Sequence, residues 1–183
     1  TNENDILTRT LQTGVHQTRD VISTTSPSID IQVSSNFERL LYDITKDSDL
    51  INSIMNSLKN SGEYSITSEV ISSIQKSFSS YTVSQTEAAD TIKKLFTEKQ
   101  ILIDPHTAVG LASSKKCKND HDLYVTLSTA HPIKFRDTIV EIIGDNKIKT
   151  PNNVSSLFNM KEKLYIMEND CDEVKKFIEE NAS

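Results

Sequence analysis

The sequence predicts a helix-rich α/β fold. Three observations carry that prediction. Apolar residues recur at helical spacing behind capping residues along most of the chain. One good strand pattern, at 123–128, runs straight into a helix, which is an α/β signature. Only two or three short strands accompany it, too few for a stable doubly wound sheet within these 183 residues. The fold expected is therefore α/β with an incomplete sheet.

The elements follow in order. Residues 1–14 suit a short helix through Ile6, Leu7 and Leu11, capped between Asn2 and Asp5 and stopped at Gly14. Residues 15–36 are polar and aperiodic, and Pro27 disfavours helix at Ser26. Such a segment reads as a functional loop or a link. Phe37, Leu40, Leu41 and Ile44 share a helix face, with Asn36 or Ser35 as cap. Leu50, Ile51, Ile54, Met55 and Leu58 mark the next helix. Thr67 caps a third, with Val70, Ile71, Ile74 and Phe78 inward. Ser84 and Glu87 have capping-box spacing for a fourth, with Ala88, Ile92, Leu95 and Phe96 inward.

Asp104 and Pro105 suit an N-cap and a first helical position. Small Ala108, Val109 and Ala112 behind them permit close packing. In 123–128, Leu123, Val125 and Leu127 fall on one face and Tyr124, Thr126 and Ser128 on the other. A helix follows Pro132, with Phe135, Ile139, Ile142 and Ile143 inward, and Gly144 ends it. Residues 145–163 read as loop. A second strand is expected at 163–167, and a last helix after Asp170 with Val174, Phe177 and Ile178 inward. The division expected is 1–36, a leading segment and polar cleft loop; 37–100, helical; and 101–183, strand–helix with a C-terminal helix.

Composition narrows the function classes. The net charge of −6, without a basic stripe, disfavours nucleic acid. No apolar run reaches the ~18 residues of a membrane helix, and no signal-peptide pattern opens the chain. Cys117 and Cys171 have no metal-ligand or CxxC spacing and are expected to be reduced thiols in a cytoplasmic protein. No metal is expected. The first residue is Thr1, so the chain is expected to be a piece of something longer. The turn "STAHPIKF" after the strand 123–128 marks a ligand site, since polar groups at strand ends are where α/β proteins place ligands.

Three stretches in order, "TNENDIL" at 1–7, "SPSIDIQVSSNFERLLYDI" at 26–44, and the pair "DPHTAVG" at 104–110 and "STAHPIKF" at 128–135, resemble threonine synthase of the bacterial and fungal type. The resemblance implies the C-terminal part of a fold-type-II pyridoxal-phosphate enzyme with an incomplete large-domain sheet. It implies conversion of O-phosphohomoserine and water to threonine and phosphate, the cofactor acting as electron sink.

It also implies that Thr129 meets the pyridine nitrogen of the cofactor; read without it, Thr129 caps the following helix. His131 either handles protons or is a turn histidine ahead of Pro132. Ser26, Ser28, Asp30 and Asn36 either line the substrate cleft or satisfy loop backbone groups. Asp104 and His106 read as capping and packing residues, and His16 and His121 as surface residues. The family's cofactor lysine and glycine-rich phosphate loop have no counterpart here, so the chain alone is expected to be catalytically incomplete, with no catalytic residue assigned. It is expected not to bind pyridoxal phosphate by itself. The alternative is a non-enzymatic helical interaction module, or half of a split protein pairing with an N-terminal chain.

Overall fold

The computed structural model describes residues 1–117, 123–145 and 148–182; His121 lies outside them. The chain forms two compact units, 1–148 and 149–183.

The first unit opens with α1 (Ile6–Thr13), which ends on Gly14 at a φ of 75°. Strand β1 (Val15–Gln17) follows at once. α2 (Phe37–Thr45) and α3 (Ser48–Ser61) come next, and α3 ends on Gly62 at a φ of 76°. Strand β2 (Glu63–Ser65) again starts right after that glycine and pairs antiparallel with β1, His16 opposite Tyr64. Left-handed backbone is cheap only for glycine. Two helix-stop glycines thus turn two helices into one small ladder. A Cβ on Gly14 would also meet the Ile66 carbonyl oxygen at 2.9 Å.

α4 (Ser68–Gln75) closes this layer. Leu11, Phe37, Leu41, Ile54, Tyr64, Ile71 and Ile74 form its core. Phe78, expected inward, is instead half exposed, because α4 ends at Gln75 before its turn comes round. His16, expected at the surface, is buried. The pairing with β2 turns its ring onto Tyr64, with centroids 4.6 Å apart and planes 10° apart. Asn36 caps α2 without its side chain: it sits at a φ of 97°, and Glu38 accepts from its N–H instead.

α5 (Gln85–Lys99) opens on the expected box, with both Ser84 and Glu87 arms formed. α6 (Pro105–Lys116) starts behind Asp104, and α7 (Arg136–Ile143) follows a 3-10 turn at Pro132–Phe135 and ends on Gly144. Val83, Ala88, Ile92, Ala108, Val109, Ala112 and Ile139 form the second core. The small residues of α6 allow the close approach: a Cβ on Gly110 would lie 3.4 Å from the Thr126 methyl.

The expected strands at 123–128 and 163–167 form no ladder among the described residues. Leu123, Val125 and Leu127 stand 78–79% exposed, and Leu164 and Ile166 stand 73% and 91% exposed. A strand needs a neighbour to satisfy its N–H and C=O groups. These segments have the side-chain pattern without one. In the second unit, α8 (Asn152–Ser155) interrupts the expected loop, and α9 (Cys171–Asn181) is capped by Asp170, with Tyr165 and Phe177 in ring contact at 4.9 Å.

Candidate functional site

Two polar networks meet at the loop 18–36. The first is built from the leading asparagines. Asn2 and Asn4 are buried. Asn2 Nδ2 donates to Asp30 Oδ1 at 2.6 Å and reaches Thr24 Oγ1 and Ser26 Oγ at 2.9 and 3.0 Å. Asn4 Nδ2 donates to the Ile22 carbonyl, and Asn4 Oδ1 accepts from the Ile22 N–H, both at 2.8 Å. Asp30 Oδ2 accepts from the Thr24 N–H. A long loop has few backbone partners of its own, so side chains take their place. Asp30 thereby holds the loop, and Ser26 lies buried inside it. Asn36 is exposed at the end of the loop.

The second network centres on Asp104, fully buried. Oδ1 accepts from the His106 backbone N–H at 3.0 Å and lies 2.9 Å from His106 Nδ1. Oδ2 accepts from the Thr107 hydroxyl, from the Ala130 N–H at 3.3 Å and from the Thr129 hydroxyl at 3.4 Å. The Thr129 N–H donates to Thr107 Oγ1 at 3.0 Å. Burial pushes the Asp104 carboxyl up, but the bonds from Thr107 and His106 outweigh it and hold it below the usual range. Five donors on one carboxylate keep it charged.

His106 reaches the other way. Its Nε2 accepts from the Ser28 N–H at 3.1 Å. An acceptor at Nε2 puts the proton on Nδ1, facing Asp104. Phe135 covers the ring at 4.7 Å. The sequence reading of Asp104 and His106 as capping and packing residues missed this bridge to Ser28. No local signal carries it, because the partners are 78 residues apart.

The site residues expected from sequence are only partly brought together. Thr129 and Ser28 are joined through Asp104 and His106. Asp30 belongs to the asparagine network, while Asn36 stands apart from both. His131 is exposed, and its Nδ1 accepts from the Ile133 N–H at 3.2 Å, which caps the turn after Pro132. Among the described residues, no cluster of His, Cys, Asp and Glu could hold a metal, and no helix is long and apolar enough to cross a membrane.

The arrangement fits one end of a pyridoxal phosphate. The Thr129 side chain is exposed, and its hydroxyl contacts, at 3.3 Å to Thr107 and 3.4 Å to Asp104, are long ones that a ring nitrogen can compete with. The phosphate end has no cradle in this sequence: the four glycines are scattered, and three of them end helices.

Comparison with known proteins bears on the family. The family described as "Threonine synthase, C-terminal" matches residues 107–178. Threonine synthase of Saccharomyces cerevisiae is 36% identical over all of this chain. The structure of PLP-bound threonine synthase from Brucella melitensis superposes with a TM-score of 0.87 at 36% identity, over 98% of this chain. The yeast enzyme's structure gives 0.83 at 35%, also over 98%. The chain spans about two fifths of the length of these relatives, 41% of the first and 39% and 40% of the two structures.

Fold and site together define the class, part of a fold-type-II pyridoxal-phosphate enzyme. Within that class the chain belongs to the threonine synthase family, where it corresponds to the C-terminal portion.

Proposed function

We propose that this chain supplies the cofactor-nitrogen contact and one wall of the substrate cleft of a threonine synthase that converts O-phosphohomoserine and water to threonine and phosphate in the cytoplasm. The observation that carries the reading is Thr129, exposed beside the buried Asp104 within the region that matches the family. Pyridoxal phosphate, when bound, supplies an electron sink for the carbanion formed on the substrate. Thr129 offers a neutral hydroxyl to the ring nitrogen. A hydroxyl, unlike a carboxylate, does not force that nitrogen to be protonated. Ala130 and Pro132 shape the turn that presents it. Ser28, Asp30 and Asn36 belong to the loop that lines the cleft, and His131 keeps Nε2 for proton handling while Nδ1 holds the turn.

The chain alone is read as incomplete, because no lysine here has the family's cofactor context. Mixing it with pyridoxal phosphate and recording absorbance tests this. We expect no lysine-dependent band. A band abolished by changing one lysine of this chain would overturn the incompleteness, and with it the division into 1–36, 37–100 and 101–183 as parts of a site finished elsewhere.

A second reading is a split-protein half that pairs with an N-terminal chain. The open apolar side chains of 123–127 favour it. A chain that runs as a clean monomer and binds no hydrophobic dye would remove that support.

A further inference from the structure

We infer that Asp104 is a positioning residue: its buried carboxylate orients the Thr129 hydroxyl on one side and, through the Nδ1–H form of His106, clamps the Pro27–Ile29 turn on the other. The inference rests on the reading of Thr129 as the cofactor contact. It adds that one charge sets both walls of the cleft.

The geometry divides into two arms. Arm one runs from Asp104 Oδ2 to the Thr107 hydroxyl, to the Ala130 N–H and to Thr129. The Thr107 proton is committed to Asp104, so Thr129 is the donor on this side and shares its one proton between Thr107 Oγ1 at 3.3 Å and Asp104 Oδ2 at 3.4 Å. Both contacts are long, so the hydroxyl keeps the freedom to turn toward the open side. Arm two runs from Asp104 Oδ1 to His106, then from Nε2 to the Ser28 N–H. This arm works in one tautomer only. With the proton on Nε2, two donors would face each other at Ser28, and the turn would be released.

A helix cap needs much less. The His106 N–H alone would satisfy the N-cap role of Asp104. The contacts that leave α6 reach Thr129, Ala130 and, through His106, Ser28, in segments about a hundred residues apart.

The test uses the chain as it is and needs no cofactor, so it stands whether or not the pyridoxal-phosphate reading survives. Nitrogen-15 shifts of His106 should show the neutral Nδ1–H form at pH 7. An Nε2–H form or a charged ring would overturn the inference. Amide exchange then separates the arms. His106→Phe, which keeps a ring but has no acceptor for the Ser28 N–H, should speed exchange at Ser28 about tenfold, the worth of one hydrogen bond, and leave Thr129 and Ala130 within about twofold. Thr107→Ala should speed exchange at Thr129, whose N–H loses its acceptor, and leave Ser28 within about twofold. Asp104→Asn should speed at least one arm and shift the His106 tautomer ratio, since one amide oxygen cannot serve both sets of donors. If Asp104→Asn melts the chain, the two single variants still decide. Loosening of both arms in each, or of neither, would sink the idea.

Discussion

The two cores of this chain each bury a histidine, and they treat it in opposite ways. His16, beside α1–α4, is 1% exposed, stacked on Tyr64, and its Nδ1 has no hydrogen-bond partner. His106, beside α5–α7, has both ring nitrogens engaged, one with a carboxylate and one with a loop amide. The difference teaches what each region is for. The first core is made by shape and apolar contact, and it accepts an orphaned nitrogen as the cost of a flat ring against Tyr64. The second core is apolar too, but beside it one buried charge gathers partners that lie at the candidate site. It also stays open where the first closes, with Leu123, Val125 and Leu127 uncovered.

The largest expected effect is at that charge. Asp104→Ala strands the His106 and Ala130 amides and the Thr107 hydroxyl, all donors to the lost carboxylate. Removing a buried acceptor shared by several donors costs about 3 kcal/mol or more. Urea unfolding should show it as a lower midpoint. A loss under about 1 kcal/mol would mean that water fills the place and that the second core does not depend on the charge.

His16→Phe should act in the other direction. It keeps a ring on Tyr64 and removes the orphaned nitrogen, so stability should rise by about 1 kcal/mol at neutral pH. The pH dependence is sharper. Burial pushes the His16 pKa below its ordinary 6.5, so the unfolded chain binds the proton more readily. Its stability is present above about 6.5 and is lost as pH falls below that toward the folded value. Asp104 is also depressed, but as a carboxylate its effect begins only below about 3.8. Stability measured from pH 7 to 5 should therefore slope in the parent and flatten in His16→Phe. An unchanged slope would transfer the effect to another group.

How much of this was legible follows the range of the interactions. The caps Thr67, Ser84 and Asp170, the Asp104–Pro105 start and the Gly14 and Gly144 stops are local chemistry, and each helix boundary they mark stands in the structure. The β1–β2 ladder was not legible by alternation, because each strand has three residues. Its signal was different: "GVHQ" and "GEYS" each follow a helix-ending glycine. His16 was misplaced for the same reason, since its burial comes from a strand 48 positions later, Tyr64 opposite His16. At the site, the resemblance singled out Thr129 and the loop. The clamp between them was invisible, because hydrogen bonds between distant loops leave no periodic trace.

A smaller effect tests the open side. Leu127→Ser removes an apolar side chain that is 79% exposed. It should change unfolding stability by less than about 0.5 kcal/mol, as surface substitutions do. It should instead reduce hydrophobic-dye binding and any self-association seen by light scattering. A loss above about 1 kcal/mol would show that Leu127 is covered in solution and that the two cores are alike in being closed.

The smallest effect concerns a tie between α5 and α6 that resembles the Asp104 network only on paper. Glu87 Oε2 accepts from the Ser84 N–H, and Oε1 pairs with Lys116 Nζ at 2.7 Å. Lys116 and the Ser84 bond hold the Glu87 carboxyl below the usual range. Yet both side chains are over a third exposed, so water screens the pair. Glu87→Gln keeps the capping oxygen for Ser84, and Lys116 keeps the Thr82 carbonyl at 2.7 Å. The loss should be about 0.5 kcal/mol at low salt and should fade in 1 M salt. Asp104→Ala, measured beside it, should keep its full cost in salt, because the carboxylate is buried. If salt weakens both equally, burial is not what separates the two carboxylates, and the special standing given to Asp104 goes with it.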